Sequence, residues 1–321
     1  MKYNKDGSLA YTLVDPEDTN PFGLYYYDGS VRVVDASSDG GFGVYAKNGA
    51  LRVDLEQTDK LYNPTGALSL SVLGGSTPLD SDAAAYLARM STPASGVQKA
   101  WTNTFFQDLK DAGVYSKLGL LYIPAQDQQA ACLNLISTTG TLTPINAPTF
   151  TAFRGWSGDG ATAYLTTGVQ INQIPLWGQA DAGFGGYFTE ADPSSTTEGR
   201  IWGRSTSVGV FRLGKTEARL NGNSATSFVS PPTTRGMWSA SRVNSTGQRV
   251  FINGVLNAVG ASSSTTELTF TAFLLRISGL YATSAYRLGI AWAGAALSDT
   301  EQADMYTICT DLLTAIGAPT S

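Results

Sequence analysis

A chain of 321 residues with 35 glycines, 15% charged residues and a formal net charge of −5 has the composition of a turn-rich, mainly β protein, long enough for two or three domains. The acidic balance speaks against a nucleic-acid binder. The absence of histidine excludes a Ser-His-Asp triad, a Cys-His dyad and any histidine-ligated zinc site.

The start, Met1-Lys-Tyr-Asn-Lys-Asp-Gly, is polar and does not read as a signal peptide, and no apolar run approaches the ~20 residues that span a bilayer. The expectation is a soluble chain made in the cytoplasm, without a membrane or nucleic-acid partner and without a cofactor. Cys132 and Cys309 each sit in a helix-like apolar pattern and read as buried thiols; a bridge between them is left open.

Residues 1–78 carry a recurring unit: Asp6-Gly-Ser-Leu, Tyr27-Asp-Gly-Ser-Val-Arg-Val, Lys47-Asn-Gly-Ala-Leu-Arg-Val and Pro64-Thr-Gly-Ala-Leu-Ser-Leu. Its glycines, Gly7, Gly29, Gly49 and Gly66, are spaced by 22, 20 and 17 residues, and each unit reads as strand, turn, strand. An isolated hairpin is marginal in water, so the repeats predict an assembly segment completed by a neighbour, in a homo-oligomer (a trimer foremost) or a larger assembly. A small self-contained β-meander is the other reading. The segment holds ten Asp/Glu against six Lys/Arg.

Residues 79–135 read as a short helical linker region. A first helix is expected over 83–90 behind an Asp/Ser cap, and a second follows Thr92-Pro93. In the second, Val97, Trp101, Phe105, Leu109 and Ala112 define one apolar face and Gly113 ends the helix. A third helical stretch is expected over 126–135.

From residue 136 the pattern changes to short β runs separated by Gly, Asn, Ser and Thr, which predicts an all-β sandwich or jelly roll over 136–298. Within it, Gly236-Met-Trp-Ser-Ala-Ser-Arg precedes Arg249-Val-Phe-Ile-Asn-Gly-Val-Leu. Asn253-Gly254 is a type I′ hairpin dipeptide, because both central residues need positive φ. Ser298-Asp-Thr-Glu301 is a capping box for a closing helix whose apolar face is Met305, Cys309, Leu312, Leu313 and Ile316, stopped by Gly317 and Pro319.

The run Phe150-Thr-Ala-Phe-Arg-Gly-Trp-Ser-Gly-Asp-Gly-Ala-Thr-Ala-Tyr-Leu-Thr-Thr-Gly resembles the opening of concanavalin A-like (laminin-G-like) modules of bacteriophage and prophage virion proteins. The Phe251-Ile-Asn-Gly hairpin, the ending Leu297-Ser-Asp-Thr-Glu-Gln-Ala, and the lead-in from Tyr86-Leu-Ala-Arg-Met to Ala112-Gly-Val-Tyr fit the same resemblance. It implies a two-sheet jelly roll in the 136–321 domain, used for glycan binding, adhesion or virion decoration. The implied protein is a virion structural component displayed on the particle exterior, in a capsid decoration, collar or fibre, with other virion proteins as partners and a host surface polysaccharide as a possible ligand. A dedicated polysaccharide-binding lectin or adhesin is the alternative.

Some relatives of such modules are glycoside hydrolases with a Glu-x-Asp-x-x-Glu strand, chemistry that needs paired carboxylates on one side of a strand. Here Glu190-Ala-Asp192 is followed by Ser195 in the third position, and residues 150–298 hold only seven Asp/Glu, so no enzyme is expected. Nor is a carboxylate cluster for calcium evident. Candidate glycan-binding residues are the aromatics Trp177, Tyr187, Trp202 and Trp238, whose faces would stack on a sugar, although core packing is the alternative for each. To these are added Arg204 and Arg212, from a stretch between Arg200 and Arg249 with eight Lys/Arg and one acid, Glu217. Such a stretch suits an anionic polymer, a solvated face or an acidic neighbour.

Overall fold

The computed structural model describes residues 79–123, 127–190, 200–204, 211–214, 217–221, 226–227, 235–264, 269–276 and 286–320, together with the backbone of six short strands in residues 1–78. The chain divides into two compact units, Met1–Pro78 and Leu79–Ser321.

In the first unit, β1 (Lys2–Tyr3) pairs with β2 (Leu9–Ala10). β3 (Gly23–Tyr25), β4 (Val31–Asp35), β5 (Phe42–Ala46) and β6 (Arg52–Leu55) form an antiparallel sheet in sequential order. These strands bracket the glycines of the first three repeats; the fourth repeat lies outside the described residues.

The second unit holds three described helices, α1 (Ser81–Leu87), α2 (Gly96–Asp111) and α3 (Asp299–Ala315). Its strands are β7 (Leu118–Tyr122), β8 (Thr143–Ile145), β9 (Thr149–Thr151), β10 (Gly155–Ser157), β11 (Tyr164–Gln170), β12 (Ala182–Glu190), β13 (Arg200–Arg204) and β14 (Phe211–Gly214). They continue with β15 (Glu217–Leu220), β16 (Thr226–Ser227), β17 (Gly236–Arg242), β18 (Gly247–Ile252), β19 (Val255–Ala261), β20 (Thr271–Leu274) and β21 (Arg287–Gly294). Two antiparallel sheets result. One has eight strands in the order β19-β18-β17-β12-β21-β10-β9, with β7 also paired to β21; the other has seven, β16-β15-β14-β13-β20-β11-β8. The protein is mainly β, a two-sheet sandwich, as its turn-punctuated sequence implies.

Strand alternation separates two apolar clusters. Phe184, Phe188, Trp238, Trp156 and Leu288 of the eight-stranded sheet meet Trp202, Leu165, Leu213 and Leu274 of the other sheet in the sandwich core. From the opposite face of the eight-stranded sheet, Tyr187, Met237, Ile290 and Trp292 pack under Trp101, Phe105, Met305 and Leu312 of the helices. Small residues make the close approach: a Cβ at Gly185 would lie 2.8 Å from both the Ser239 Cβ and the Trp292 Nε1.

The segment 79–135 differs from the expected linker. Its strand β7 lies in the eight-stranded sheet, pairing Leu121 with Trp292, so the segment is built into the sandwich. Two helices form, each with a polar cap: Asp80 accepts from the Asp82 and Ala83 amides, and Ser95 forms a capping box with Gln98. The helix expected over 126–135 is reduced to a single 3-10 turn, Ala130–Cys132. Asn134, fully buried, takes the backbone elsewhere: its Oδ1 accepts from the Leu121 and Ile136 amides and its Nδ2 donates to the Thr139 carbonyl. Val97, expected on the buried face of α2, is 71% exposed. Both cysteines are free. Burial, with Asp127 nearby, pushes the Cys132 thiol up to about 11, and complete burial raises that of Cys309 as well, which disfavours the thiolate at both positions.

The closing helix follows its sequence signature: Ser298 and Glu301 form the capping box, and Asp299 and Glu301 sit in the first turn where the helix dipole favours them. α3 is keyed to β17 by Gln302, which is fully buried. Its Oε1 accepts from Ser239 Oγ at 2.6 Å, and its Nε2 donates to Ser241 Oγ at 2.8 Å. Gln302→Leu leaves the Ser239 hydroxyl without its partner and takes one from Ser241, which still accepts from the Leu297 amide at 3.2 Å, and is expected to lower stability to urea by about 2 kcal/mol. Adding Ser239→Ala recovers part of that loss, because the hydroxyl stranded there is removed, whereas Ser241 is kept as the acceptor of the Leu297 amide. Failure of the double variant to recover would count against this role.

Candidate functional site

The three helices cover one outer face of the sandwich. The outer face of the seven-stranded sheet carries no helix among the described residues, and it holds a compact aromatic and arginine cluster. Leu165, Trp202, Leu213, Ala218 and Leu274 point into the core, so alternation turns their neighbours Tyr164, Thr166, Phe273 and Arg219 outward. Register then lines these up: Thr166 pairs with Phe273, which pairs with Gly203 of β13.

At this face the Tyr164 and Phe273 rings meet edge to face, with centroids 4.9 Å apart. The Arg276 guanidinium lies over the Tyr164 ring, 4.2 Å from its centroid, and 5.7 Å from that of Phe273. Phe273 is buried, whereas Tyr164 and Arg276 are partly exposed. A guanidinium held flat on an aromatic ring is pre-organised, and its N–H edges suit a carboxylate or vicinal hydroxyls. Farther along the sheet, Arg212 and Arg219 are opposed in register.

The structure redistributes the residues singled out in the sequence. Trp202 and Trp238 are fully buried in the sandwich core, and Trp202 Nε1 donates to the Gly185 carbonyl at 2.8 Å. Trp177 is 6% exposed and packs on Phe184 at 5.9 Å. Tyr187 is buried under the helices, stacked on Tyr306 with its hydroxyl donating to the Thr320 carbonyl at 2.8 Å. None of these four rings keeps a face for a sugar; their bulk closes the two apolar layers instead. Arg204 pairs in register with Ala272 and Arg212 with Arg219, and the side chains of Arg204 and Arg212 lie outside the described residues. Tyr164, Phe273 and Arg276 were not singled out. Their signal was present as two alternating runs, Ala163-Tyr-Leu-Thr and Phe273-Leu-Leu-Arg, but only the pairing of β11 with β20 joins them.

Glu190, first residue of the hydrolase-like run, ends β12 inside an arginine clamp. Arg287 Nε donates to one carboxylate oxygen at 2.8 Å and Arg154 Nη1 to the other at 2.7 Å; Arg287 Nη1 also donates to Thr151 Oγ1 at 2.7 Å. Burial alone would raise this carboxyl, but the hydrogen bonds from Arg287 and Arg154 outweigh it and hold the group below the usual carboxylate range. An acid kept ionised with both oxygens engaged is poorly suited to protonate a leaving group. Asp192 and Ser195 lie outside the described residues. Among the described residues no group of three or more Cys, Asp or Glu is arranged to hold a metal ion, and no helix is long and apolar enough to cross a membrane.

The clamp has a pH signature. Because the folded-state carboxyl lies below its ordinary value of 4.5, the stabilisation is complete above that value and is lost as pH falls through the depressed one. The difference in melting temperature between the native chain and Glu190→Gln should therefore shrink as pH is lowered from about 6 towards 3. A difference that stays constant over that range would rule the clamp out as a source of stability.

No protein-family model and no curated protein matches the sequence. Solved structures similar to it include domain 4 of the extracellular GH43 arabinanase AbnA from Geobacillus stearothermophilus, in complex with arabinotriose: 12% identity, TM-score 0.41, covering 59% of this chain and 98% of that one. They also include Trypanosoma rangeli sialidase, at 9% identity and TM-score 0.45, covering 65% of this chain and 39% of that one. Botulinum neurotoxin type C is similar at 10% identity and TM-score 0.47, covering 62% of this chain and 53% of that one. The chain thus spans less than two thirds of the sialidase and neurotoxin structures.

Proposed function

We propose that this chain is a non-enzymatic carbohydrate-binding protein displayed on the exterior of a phage particle, as a capsid decoration, collar or fibre component, and that its ligand is an acidic polysaccharide of the host surface. The observation that carries the binding role is the Arg276–Tyr164–Phe273 cluster on the sheet face without helices. An arginine pre-stacked on a partly exposed aromatic combines a cation for a uronic or sialic carboxylate with a flat apolar surface for the ring, and it spends little ordering entropy on binding. The basic 200–249 stretch, which includes Arg212 and Arg219, adds attraction for a polyanion. Against an enzyme stands the arginine clamp on Glu190. For the display role the support is the repeated β segment of residues 1–78, a poor core by itself, which favours self-association and contacts with other virion proteins.

On an array of neutral and acidic glycans the intact chain should bind acidic members, more weakly as salt rises. Arg276→Ala is expected to weaken that binding about tenfold, and Tyr164→Ala by a similar factor, with no release of reducing ends. An array without acidic ligands, or Arg276→Ala binding like the native chain, would overturn the glycan reading. Recovery of the protein only in the particle-free fraction of a phage lysate would overturn the display reading.

A further inference from the structure

On the other face of the sandwich from the arginine cluster, α2 and α3 run side by side and leave a groove between them. It opens to solvent and has a volume of about 150 Å³. The two walls match. Trp101, Phe105 and Asp108 of α2 face Ile308, Asp311 and Leu312 of α3, residues spaced at i, i+4, i+7 and i, i+3, i+4. One turn earlier on the α2 stripe stands Val97, 71% exposed although it continues the apolar face. Trp101, Phe105, Ile308 and Leu312 form the floor, each no more than 9% exposed.

The rim is acidic. Asp108 and Asp311 flank the floor, and Asp111 lies close enough to act on Asp108. None of the three has an ion pair among the described residues. The nearby lysines Lys110 and Lys117 are committed elsewhere, Lys110 to Asp80 and Asp82 at 2.7 and 2.6 Å, and Lys117 to Glu301 at 2.8 Å. The Asp108 carboxyl is raised by burial and then by the charges of Asp111 and Asp311, as expected where negative charge converges on an apolar floor without compensation.

We propose that the α2–α3 groove docks an amphipathic helix of a partner protein that carries lysine or arginine beside its apolar stripe. A helix fits because both walls present apolar residues at helical spacing and because a helix satisfies its own backbone, as an extended strand laid on side chains would not. The basic residues follow from charge complementarity with Asp108, Asp111 and Asp311, and their aliphatic stems would lie along Trp101 and Leu312. A second copy of this chain does not supply such an element. Its described helices are acidic in the first turn or uncharged there, and the last turn of α2 is basic only through the committed Lys110. This surface is separate from the glycan-binding face, and the inference stands without it.

The test uses the full chain and two synthetic peptides of about 18 residues, long enough to hold a helix on contact. One carries leucine along one face and lysine along its flanks; in the other, glutamate replaces lysine. The lysine peptide should bind in calorimetry and the glutamate peptide should not. Amide exchange should slow over 97–108 and 304–315. Asp108→Asn combined with Asp311→Asn should weaken binding about tenfold without lowering the melting temperature, since it removes repulsion rather than a contact. Val97→Ser, at an exposed position, should weaken binding about threefold. No binding of the lysine peptide, equal binding of both peptides, unchanged affinity in the Asn variant, or protection elsewhere would each overturn the proposal. So would concentration-dependent protection of 97–108 and 304–315 in the absence of peptide, the mark of a second copy seated in the groove.

Discussion

The seat of α3 on the eight-stranded sheet is the contact on which the rest of the second unit depends. A polar residue at the centre of that seat is tolerated only because Gln302 is satisfied from below by Ser239 and Ser241. A second close approach stands beside it. Gly254, at φ 76 in the Asn253-Gly254 turn, has no Cβ, and one placed there would lie 2.8 Å from the Ala303 Cα and 3.0 Å from the Gln302 carbonyl oxygen. Asn253, also at positive φ, receives the Met237 amide on its Oδ1 at 2.9 Å, which ties the same turn to the start of β17. Turn, strand and helix are thereby held in one register, with Tyr187, Met237 and Trp292 sealed between them.

That seat makes the two sides of the sandwich unequal. A sheet face under three helices has no room for a ligand, and its aromatic residues serve packing. The opposite face shows side chains that alternate out of the core, among them Tyr164 and Arg276. The division also explains why the tryptophans do not bind sugar. Trp156, Trp202 and Trp238 belong to strands whose inward positions fill the gap between sheets roughly 10 Å apart, and only large rings close it.

Several local features were legible in the sequence because their causes lie within a few residues. The Ser298–Glu301 capping box, the positive-φ Asn253-Gly254 turn and the turn-punctuated β texture all formed as expected. Local reasoning failed where a distant contact outweighed propensity. Residues 126–135 have a helical composition, yet the Asn134 side chain bonds to the Leu121 amide across the fold and only one 3-10 turn remains. Val97 keeps the helical spacing of an apolar face but lies beyond the edge of the layer that α2 covers.

By itself the sequence determined the class of the fold, the capped start of the closing helix and the exclusion of histidine-dependent chemistry, since these follow from composition and from interactions within a single turn. Only the tertiary structure decided which face of each strand meets water. A one-residue change of register exchanges the two faces, and register is set by partners such as Thr166 and Phe273 that are far apart in the chain. For that reason the aromatic residues singled out in the sequence became the core, while the arginine-capped tyrosine on the open face emerged only when β11 and β20 were paired.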